Sequence, residues 1–406
     1  MPRPAFARWM DDANDVAHTF LSAAQVPDLV NLGGGIPDAS LWPAERLSRL
    51  AAKVVSENSS EALGYSPIEG LPAFRDLIAE RFSRDGLRLT RDNVLITTAG
   101  TQALDLVGKV LLNEGEIVAA QSPAYLGALD AWRPRRPRFR SMRIEAKGFD
   151  PVAAMSGAKF AYAVPNFSNP TGRMVSLEKR QALAAAARRT GVWLVEDDPY
   201  GALQYDGAPL PRILTLSANG GRVPYDGPVV YFGTISKEIA PGLRIGWVIA
   251  APEMIEAMTM AKQGSDMCTS SLSQRIAHEA FATGLAAEML PEVKALYRRR
   301  RDALCGAMAD HLSEHFSWEP PAGGMFVWAR ARDPRIDTDR LMKTGLKHGV
   351  CVSPSSVFDP AGEDRGAVRL NFTLNPRKKL EEGVRRLAAA TRAALVDADA
   401  RAIVTA

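Results

Sequence analysis

Between about residues 93 and 250, short apolar runs alternate with helical patterns, and this alternation limits the folds that the chain can adopt. Each run has the length of a strand that is buried in a sheet. The runs occupy residues 94–97, 117–120, 160–164, 193–195, 229–232 and 245–250. The alternation predicts an α/β fold with a mostly parallel sheet flanked by helices on both faces.

The pattern changes after a helical stretch at residues 280–312. It is followed by a strand pair at 318–328, a helix at 338–348, a strand at 369–373 and a closing helix at 376–395. This succession is typical of an α+β arrangement. We therefore expect a large domain at residues 45–300, and a smaller α+β domain formed by the N-terminal arm at 1–44 together with residues 301–406.

Composition indicates an ordinary globular protein that does not bind nucleic acid. The chain has 406 residues, of which 46% are hydrophobic, and this length suffices for one large and one small domain. The formal net charge of +4 is small for such a length and argues against a nucleic-acid partner. The basic run at 298–301 is interpreted as a solvated helix face.

The cysteines and the N-terminus bear on location and metal content. Cys268, Cys305 and Cys351 are widely separated and lack metal-ligand spacing, so we expect no metal and a reducing compartment. The N-terminus lacks the apolar core of a signal peptide, and no stretch approaches the roughly 20 apolar residues of a membrane span. A cytoplasmic protein without a membrane segment is the expectation.

The most informative segment for function follows the apolar run at 229–232. It delivers Thr234, Ser236, Lys237 and then Arg244 to a loop punctuated by glycine and proline. Ligands of α/β proteins bind at the carboxyl ends of the strands. A lysine amine can form a Schiff base with an aldehyde, while hydroxyl and guanidinium groups can hold a phosphate. Alone, Lys237 could equally be a solvated lysine, and Arg244 a member of a strand-edge ion pair.

Further polar segments follow other apolar runs. Residues 100–102 open a helix whose N-terminus can bind a phosphate, although Thr101 can also be a simple cap. Asn169 lies in a Ser-Asn-Pro-Thr-Gly string, which by itself indicates a turn. Asp197 and Asp198 follow the run at 193–195, where a ligand-binding carboxylate or a turn cap is expected.

Taken in order, these segments resemble the motifs of the class I/II aminotransferases, which are fold type I enzymes that use pyridoxal 5′-phosphate (PLP). The matching segments run from about residue 34 to residue 372 and cover nearly the whole chain. The resemblance implies that Lys237 is the Schiff-base lysine and general base, and that Asp197 pairs with the pyridine nitrogen. Asn169 and Tyr200 would hydrogen-bond the phenolic oxygen of the cofactor.

The resemblance implies the remaining site residues in the same way. Cofactor contacts would come from Gly100, Thr101, Gln102, Tyr125, Asn169, Asp197, Tyr200, Thr234, Ser236, Lys237 and Arg244. Gly35, Asn169 and Arg369 would bind the substrate, with Arg369 on its α-carboxylate. Tyr65 would reach the phosphate of a neighbouring subunit, which implies a homodimer with shared active sites.

The implied activity is the transfer of an amino group from an L-amino acid to a 2-oxo acid, by a ping-pong mechanism through an aldimine. The chain is most similar to the 2-aminoadipate and kynurenine branch of the family. Aminoadipate-selective members have an arginine where this chain has His18, which favours a neutral or aromatic donor. Gln25, Leu29, Met267 and residues 269–273 are candidates for the donor pocket.

Two other functions stay open at this point. The same residues support β-elimination, decarboxylation or racemisation, because these reactions start from the same adduct of PLP and amino acid. A non-enzymatic possibility is the effector domain of a GntR/MocR-type regulator, which shares this fold. We do not expect a regulator, because the roughly 30 residues ahead of the Gly-rich segment at 33–38 are too few for a DNA-binding domain.

Overall fold

A computed structural model of the protein describes residues 5–12, 27–218 and 220–405, with side chains described as far as residue 399. The strands, numbered along the chain, are β1 (Val30–Asn31), β2 (Val94–Thr97), β3 (Ile117–Gln121), β4 (Arg138–Met142), β5 (Phe160–Ala163), β6 (Trp193–Asp197), β7 (Val229–Thr234), β8 (Gly246–Ile249), β9 (Phe316–Ser317), β10 (Phe326–Ala331), β11 (Val350–Cys351), β12 (Ser353–Pro354) and β13 (Ala367–Asn371).

The α-helices of the described residues are numbered in the same way. They are α1 (Ala44–Glu57), α2 (Ser59–Leu63), α3 (Pro72–Phe82), α4 (Ala99–Leu111), α5 (Leu126–Trp132), α6 (Pro151–Met155), α7 (Leu177–Thr190), α8 (Ile213–Leu216), α9 (Pro252–Gln263), α10 (Ser271–Ala282), α11 (Leu285–Leu312), α12 (Thr338–Lys347) and α13 (Arg377–Thr405).

The main sheet confirms the α/β fold class expected from the sequence. Within the described residues it has seven strands in the order β2-β8-β7-β6-β5-β3-β4. Strands β4, β3, β5, β6 and β7 pair in parallel, whereas β8 runs antiparallel to both of its neighbours, β2 and β7. The carboxyl ends of the parallel strands therefore meet along one edge.

Both faces of this sheet are buried, which explains why its strands are nearly continuous apolar runs. On β7, Val230 and Phe232 face a core that includes Leu104 of α4. The alternate residues Val229 and Tyr231 face a second core that includes residues of α7. Helices thus cover the sheet on both sides, and loops at the strand ends are left to form a site.

A smaller antiparallel sheet, in the order β12-β13-β10-β9, lies in the C-terminal part of the chain. In its register Arg369 of β13 pairs with Trp328 of β10. The expected helical stretch at 280–312 is divided, because Gly284 adopts a left-handed φ of 77° between α10 and α11. Helix α11 runs unbroken through the expected domain boundary at residue 300, and the division at 45–300 stays a prediction.

The arginines at 298–301 correct one expectation from the sequence. Arg301 is 7% exposed and forms an ion pair with Asp206, as does Arg298. Arg300 pairs with Asp38 at 2.5 Å. The expected solvated face is therefore wrong for Arg300 and Arg301, because loops bearing aspartates pack against this side of α11.

Two further features concern membranes and metals. No helix within the described ranges combines the length and apolar content that crossing a bilayer requires. The same ranges contain no group of three or more His, Cys, Asp or Glu side chains placed to hold a metal ion.

Candidate active site

A cavity of about 380 Å³ lies at the carboxyl ends of β5, β6 and β7. The loops after these strands meet β13 and the Gly-rich segment that follows β1 there. The cavity brings together most residues that the sequence singled out, namely Gly35, Gly100, Thr101, Tyr125, Asn169, Asp197, Tyr200, Thr234, Ser236, Lys237, Arg244 and Arg369.

Lys237 ends a short 3₁₀ turn, Ile235–Lys237, directly after β7. Thr234 starts this turn, and its hydroxyl oxygen accepts the backbone N–H of Ser236 at 3.2 Å. Lys237 Nζ donates to the Gly35 carbonyl at 3.2 Å. Removal from bulk solvent, with smaller contributions from Arg244 and Arg369, lowers the pKa of Lys237 to about 8. Much more of this amine is therefore neutral near pH 7 than of a surface lysine.

The two adjacent aspartates at the end of β6, Asp197 in the strand and Asp198 directly after it, have different surroundings. Asp197 lines the cavity, whereas Asp198 accepts hydrogen bonds from Asn166 Nδ2 at 2.8 Å, Tyr231 at 3.0 Å and the Gly201 N–H at 2.9 Å. Asp198 therefore holds the loops together, and Asp197 is the carboxylate available to a ligand.

Asp197 is a buried acid whose partner within the protein is a hydroxyl. Tyr162 donates a hydrogen bond to its Oδ2 at 2.7 Å. Burial is the largest influence and raises the pKa of Asp197 to about 7, while the Tyr162 hydrogen bond lowers it and Asp198 raises it. A cationic ligand in the cavity would compensate this burial and favour the ionised carboxylate.

Arg369 of β13 also lines the cavity. Its Nη1 donates to Asn169 Oδ1 at 2.7 Å, and its Nη2 donates to Ser353 Oγ at 3.2 Å. The guanidinium lies between the rings of Phe326 and Phe358, 4.3 and 4.7 Å from their centroids. Burial lowers the pKa of Arg369 to about 10, so that it is cationic at neutral pH. A rigid, cationic, planar group suits a carboxylate ligand.

Tyr200 completes this wall of the cavity. It is 5% exposed, hydrogen-bonds with Asn169, and packs edge-on against Phe326 with ring centroids 6.0 Å apart. Burial raises the pKa of Tyr200 well above its ordinary value, so the phenol keeps its proton at neutral pH. A protonated phenol beside an amide can donate a hydrogen bond to an anionic ring oxygen.

Another part of the cavity wall is suited to an anion. Helix α4 points its N-terminus there, where backbone N–H groups have no partner within the helix. A side chain added at Gly100 would meet open space, which leaves room for a ligand beside the helix end. The hydroxyls of Thr234 and Ser236 and the guanidinium of Arg244 line the same cavity.

Two of the predicted site residues do not line this cavity. Gln102 turns its side chain back, because its Oε1 accepts the Thr98 N–H at 2.8 Å and its amide bonds Asp266. Tyr65 is 86% exposed and lies on the surface of the chain. The candidate pocket residues Leu29, Met267 and 269–273 also lie off the cavity, and His18 and Gln25 lie outside the described residues.

Sequence reasoning missed a buried arginine that supports the loop of Asn169. Arg180 of α7 has no exposed surface and donates to the carbonyls of Val175 at 2.8 Å and Pro165 at 2.9 Å. It also donates to Asn166 Oδ1 at 2.6 Å. An arginine in an Ala-rich helix is usually solvated, and no local signal distinguishes Arg180 from its neighbours.

The chemistry of the cavity fits PLP. Arg244, two hydroxyls and a helix N-terminus suit its phosphate, and the amine of Lys237 suits its aldehyde. Burial disfavours the negative charge of the Asp197 carboxylate, and a protonated pyridine nitrogen would supply the positive charge that compensates for it. The fold and the cavity together define the class of the fold type I PLP enzymes.

Comparison with known proteins narrows this class to a family. The family model described as aminotransferase class I and II matches residues 27–387. The chain therefore belongs to the class I and II aminotransferases, and it is a PLP-dependent enzyme that transfers amino groups.

Relatives and solved structures agree with this family. The chain is 32% identical to aromatic-amino-acid aminotransferase 1 of Thermococcus litoralis, over 91% of this chain and 89% of that protein. It is 35% identical to the 2-aminoadipate transaminase of Thermus thermophilus, over 92% of this chain and 93% of that protein. A solved structure of LysN, an α-aminoadipate aminotransferase from Thermus thermophilus, contains N-(5′-phosphopyridoxyl)-L-leucine. It superposes on this chain with a TM-score of 0.84 at 32% identity, and the match covers 96% of this chain and 100% of that one.

Proposed function

We propose that the cavity at the strand ends is the catalytic site of this aminotransferase and that Lys237 is its catalytic lysine. The observation that carries the proposal is the meeting of the Lys237 amine, the Asp197 carboxylate and the Arg369 guanidinium in one cavity. When bound, PLP supplies an electron sink for the carbanion at the substrate Cα.

In this proposal Lys237 acts as the base that removes the proton from the substrate Cα. A pKa of about 8 supports this role, because the amine is then close to the operating pH at which a base is most effective. Arg369 binds the α-carboxylate and thereby turns the Cα–H bond towards Lys237. Its bond to Asn169 and its position between two aromatic rings restrict the guanidinium to one orientation.

The remaining side chains would hold the cofactor in place. Asp197 is assigned to the pyridine nitrogen, and Asn169 and Tyr200 to the ring oxygen. The phosphate is assigned to the N-terminus of α4 with Thr234, Ser236 and Arg244. Gln102 has no direct cofactor contact in this assignment, since its side chain bonds back to Thr98.

For the donor we propose an L-amino acid with an uncharged aliphatic or aromatic side chain. The cations that line the described part of the cavity are Lys237, Arg244 and Arg369, and each already has a role. The rest of the wall includes Ile36, Leu104 and Leu126, which are apolar. Asp130 also lines the cavity and forms an ion pair with Arg133, so it adds no free cation for a second carboxylate. Among the relatives, one is named as an aminotransferase for aromatic amino acids.

We further propose a cytoplasmic homodimer in which each subunit completes the site of the other. The motivation is Tyr65, a large aromatic side chain that is 86% exposed in the single chain. An aromatic residue with a polar tip is well suited to a subunit interface. In the dimer its hydroxyl would reach the phosphate of the neighbouring subunit.

Absorption spectroscopy of the PLP-loaded protein with single L-amino acids tests this function. Without an oxo acid, a donor should convert bound PLP to pyridoxamine phosphate. The conversion should be fastest with aromatic or aliphatic amino acids and slowest with glutamate or 2-aminoadipate. Lys237→Ala should lower the rate by about 10²- to 10⁴-fold, because the base is lost. Lys53→Ala, which removes a surface ion pair with Glu279, should not change it. Full activity of Lys237→Ala would refute the assignment.

A further inference from the structure

Tyr162 lies next to Asp197 on the neighbouring strand. It sits on β5, opposite Val195 of the parallel strand β6, and Asp197 follows Val195 by two positions. Residues two apart on a strand share a face, so Tyr162 and Asp197 project from the same side of the sheet. This placement brings the Tyr162 hydroxyl to 2.7 Å from Asp197 Oδ2.

Packing gives the Tyr162 ring a fixed position. The residue has no exposed surface, and its ring meets Trp132 edge-on with centroids 5.1 Å apart. Trp132 is itself held by a hydrogen bond from its indole N–H to the Leu104 carbonyl at 2.8 Å. A phenol held in this way presents its O–H to Asp197 without further loss of side-chain freedom.

The hydrogen bond matters because the surroundings of Asp197 otherwise disfavour its charge. No lysine or arginine among the described residues forms an ion pair with this carboxylate, and Asp198 adds a like charge nearby. A hydrogen bond donated to a carboxylate favours the ionised form over the protonated form. With Oδ2 engaged by Tyr162, Oδ1 is the oxygen available to a ligand in the cavity.

We propose that Tyr162 is a positioning residue for the reaction. It orients the Asp197 carboxylate towards the pyridine nitrogen of PLP and keeps the acid ionised as the cofactor binds. The inference rests on the proposed role of Asp197. Replacing Tyr162 with Phe leaves the ring packing intact and takes away only the hydroxyl, so that Asp197 loses its donor while it remains buried.

The test measures ligand binding to cofactor-free protein by equilibrium dialysis. The two ligands are pyridoxamine 5′-phosphate and its 1-deaza analogue, in which the ring nitrogen is replaced by CH. Neither ligand carries the aldehyde, so neither bonds covalently to Lys237. Tyr162→Phe should lower the affinity for pyridoxamine phosphate by at least about 10-fold, as expected for the loss of a hydrogen bond to a charged group. The affinity for the 1-deaza analogue should change by less than about twofold.

A matched control removes another buried phenolic hydroxyl, on a residue that does not line the cavity. Tyr225 has no exposed surface, and its hydroxyl bonds Ser217 Oγ at 2.6 Å and the Val229 N–H at 3.2 Å. Tyr225→Phe should leave the affinities of both ligands unchanged. Because both ligands are measured on the same protein, partial unfolding of a variant would weaken both alike.

The possible results separate this inference from the proposed function. Equal weakening of both ligands by Tyr162→Phe, or no weakening at all, overturns the role of Tyr162. Asp197→Asn should bind pyridoxamine phosphate no more tightly than its 1-deaza analogue, so that the preference for a ring nitrogen is lost. If Asp197→Asn keeps the native preference, the assignment of Asp197 is wrong and the inference about Tyr162 fails with it. If only Tyr162→Phe behaves as native, the proposed function stands and the inference alone fails.

Discussion

The guanidinium of Arg369 donates a hydrogen bond of 2.7 Å to the side-chain oxygen of Asn169, which lies 200 positions earlier in the chain. The bond joins β13 of the smaller sheet to the loop that follows β5 of the main sheet. Asn169 in turn bonds Tyr200, so that the proposed carboxylate and ring-oxygen contacts form one connected unit. A change at Arg369 should therefore affect substrate binding first and cofactor contacts second.

Arg369→Lys should raise the KM for the L-amino acid donor by about 10- to 100-fold, because lysine cannot make the bidentate contact to a carboxylate. The affinity for PLP should change much less. Steady-state kinetics and a PLP titration measure the two effects. The control is Arg330→Lys. Arg330 lies on the neighbouring strand β10 and forms an exposed ion pair with Asp364, so this change should leave KM unaltered. An unaltered KM in Arg369→Lys would contradict the assignment.

Asp197→Asn and Asp198→Asn should have opposite effects on the stability of the cofactor-free protein. The pKa of Asp197 rises from 3.8 to about 7 on folding, so the folded protein keeps a proton there that the unfolded chain releases between these values. The free energy of unfolding therefore falls as pH rises through this window. Asp197→Asn has no such ionisable group, so its free energy of unfolding should exceed that of the native protein by about 2–4 kcal/mol at pH 8, and by less than half of that at pH 5.

Asp198→Asn should instead destabilise the protein by about 3 kcal/mol, because Asp198 accepts bonds from Asn166, Tyr231 and Gly201 and pairs with Arg212. Urea unfolding at pH 5 and pH 8 measures both variants. A loss of stability in Asp197→Asn at pH 8 would show that the carboxylate is a structural group like its neighbour.

Much of the fold and of the cavity could be predicted because local sequence determines them. The strands of the main sheet are buried on both faces and so appear as apolar runs, and polar residues directly after such runs lie at the carboxyl edge. Asp197 at the end of β6 and Lys237 just after β7 follow this rule, Asn169 and Arg244 lie further along the loops after β5 and β7, and the cavity contains all four.

What the sequence does not predict depends on contacts between distant segments. Tyr162 sits in an apolar run that predicts only a strand, since its bond to Asp197 depends on the pairing of β5 with β6. The burial of Arg180 and Arg301 has no local signal, because it depends on the Pro165 carbonyl for Arg180 and on the Asp206 carboxylate for Arg301, which lie in other segments of the chain. The family resemblance implies a cofactor contact for Gln102, yet a local bond to Thr98 turns this side chain away.

Arg180→Met should lower the free energy of unfolding by about 3–5 kcal/mol, since it leaves several buried acceptors without a donor. Arg189 lies on the same helix, α7, and is exposed. Arg189→Met should change stability by no more than about 0.5 kcal/mol. Thermal or urea unfolding of the two variants makes the comparison, and equal effects would contradict the structural role of Arg180.

Co-expression of two inactive variants tests the shared site. Tyr65→Ala and Lys237→Ala should each be impaired as homodimers. A heterodimer would contain one site with both native residues, so random pairing should restore about a quarter of the native activity. No recovery in isolated heterodimers would show that Tyr65 does not act across the subunit interface.

The central claim is that Lys237 binds the cofactor, and chemical trapping tests it most directly. The PLP-loaded protein is reduced with borohydride, digested, and analysed by mass spectrometry for a pyridoxyl group on lysine. We predict one modified site, Lys237, and its loss when a donor amino acid is added before reduction. A pyridoxyl group on another lysine, or on none, would contradict the account.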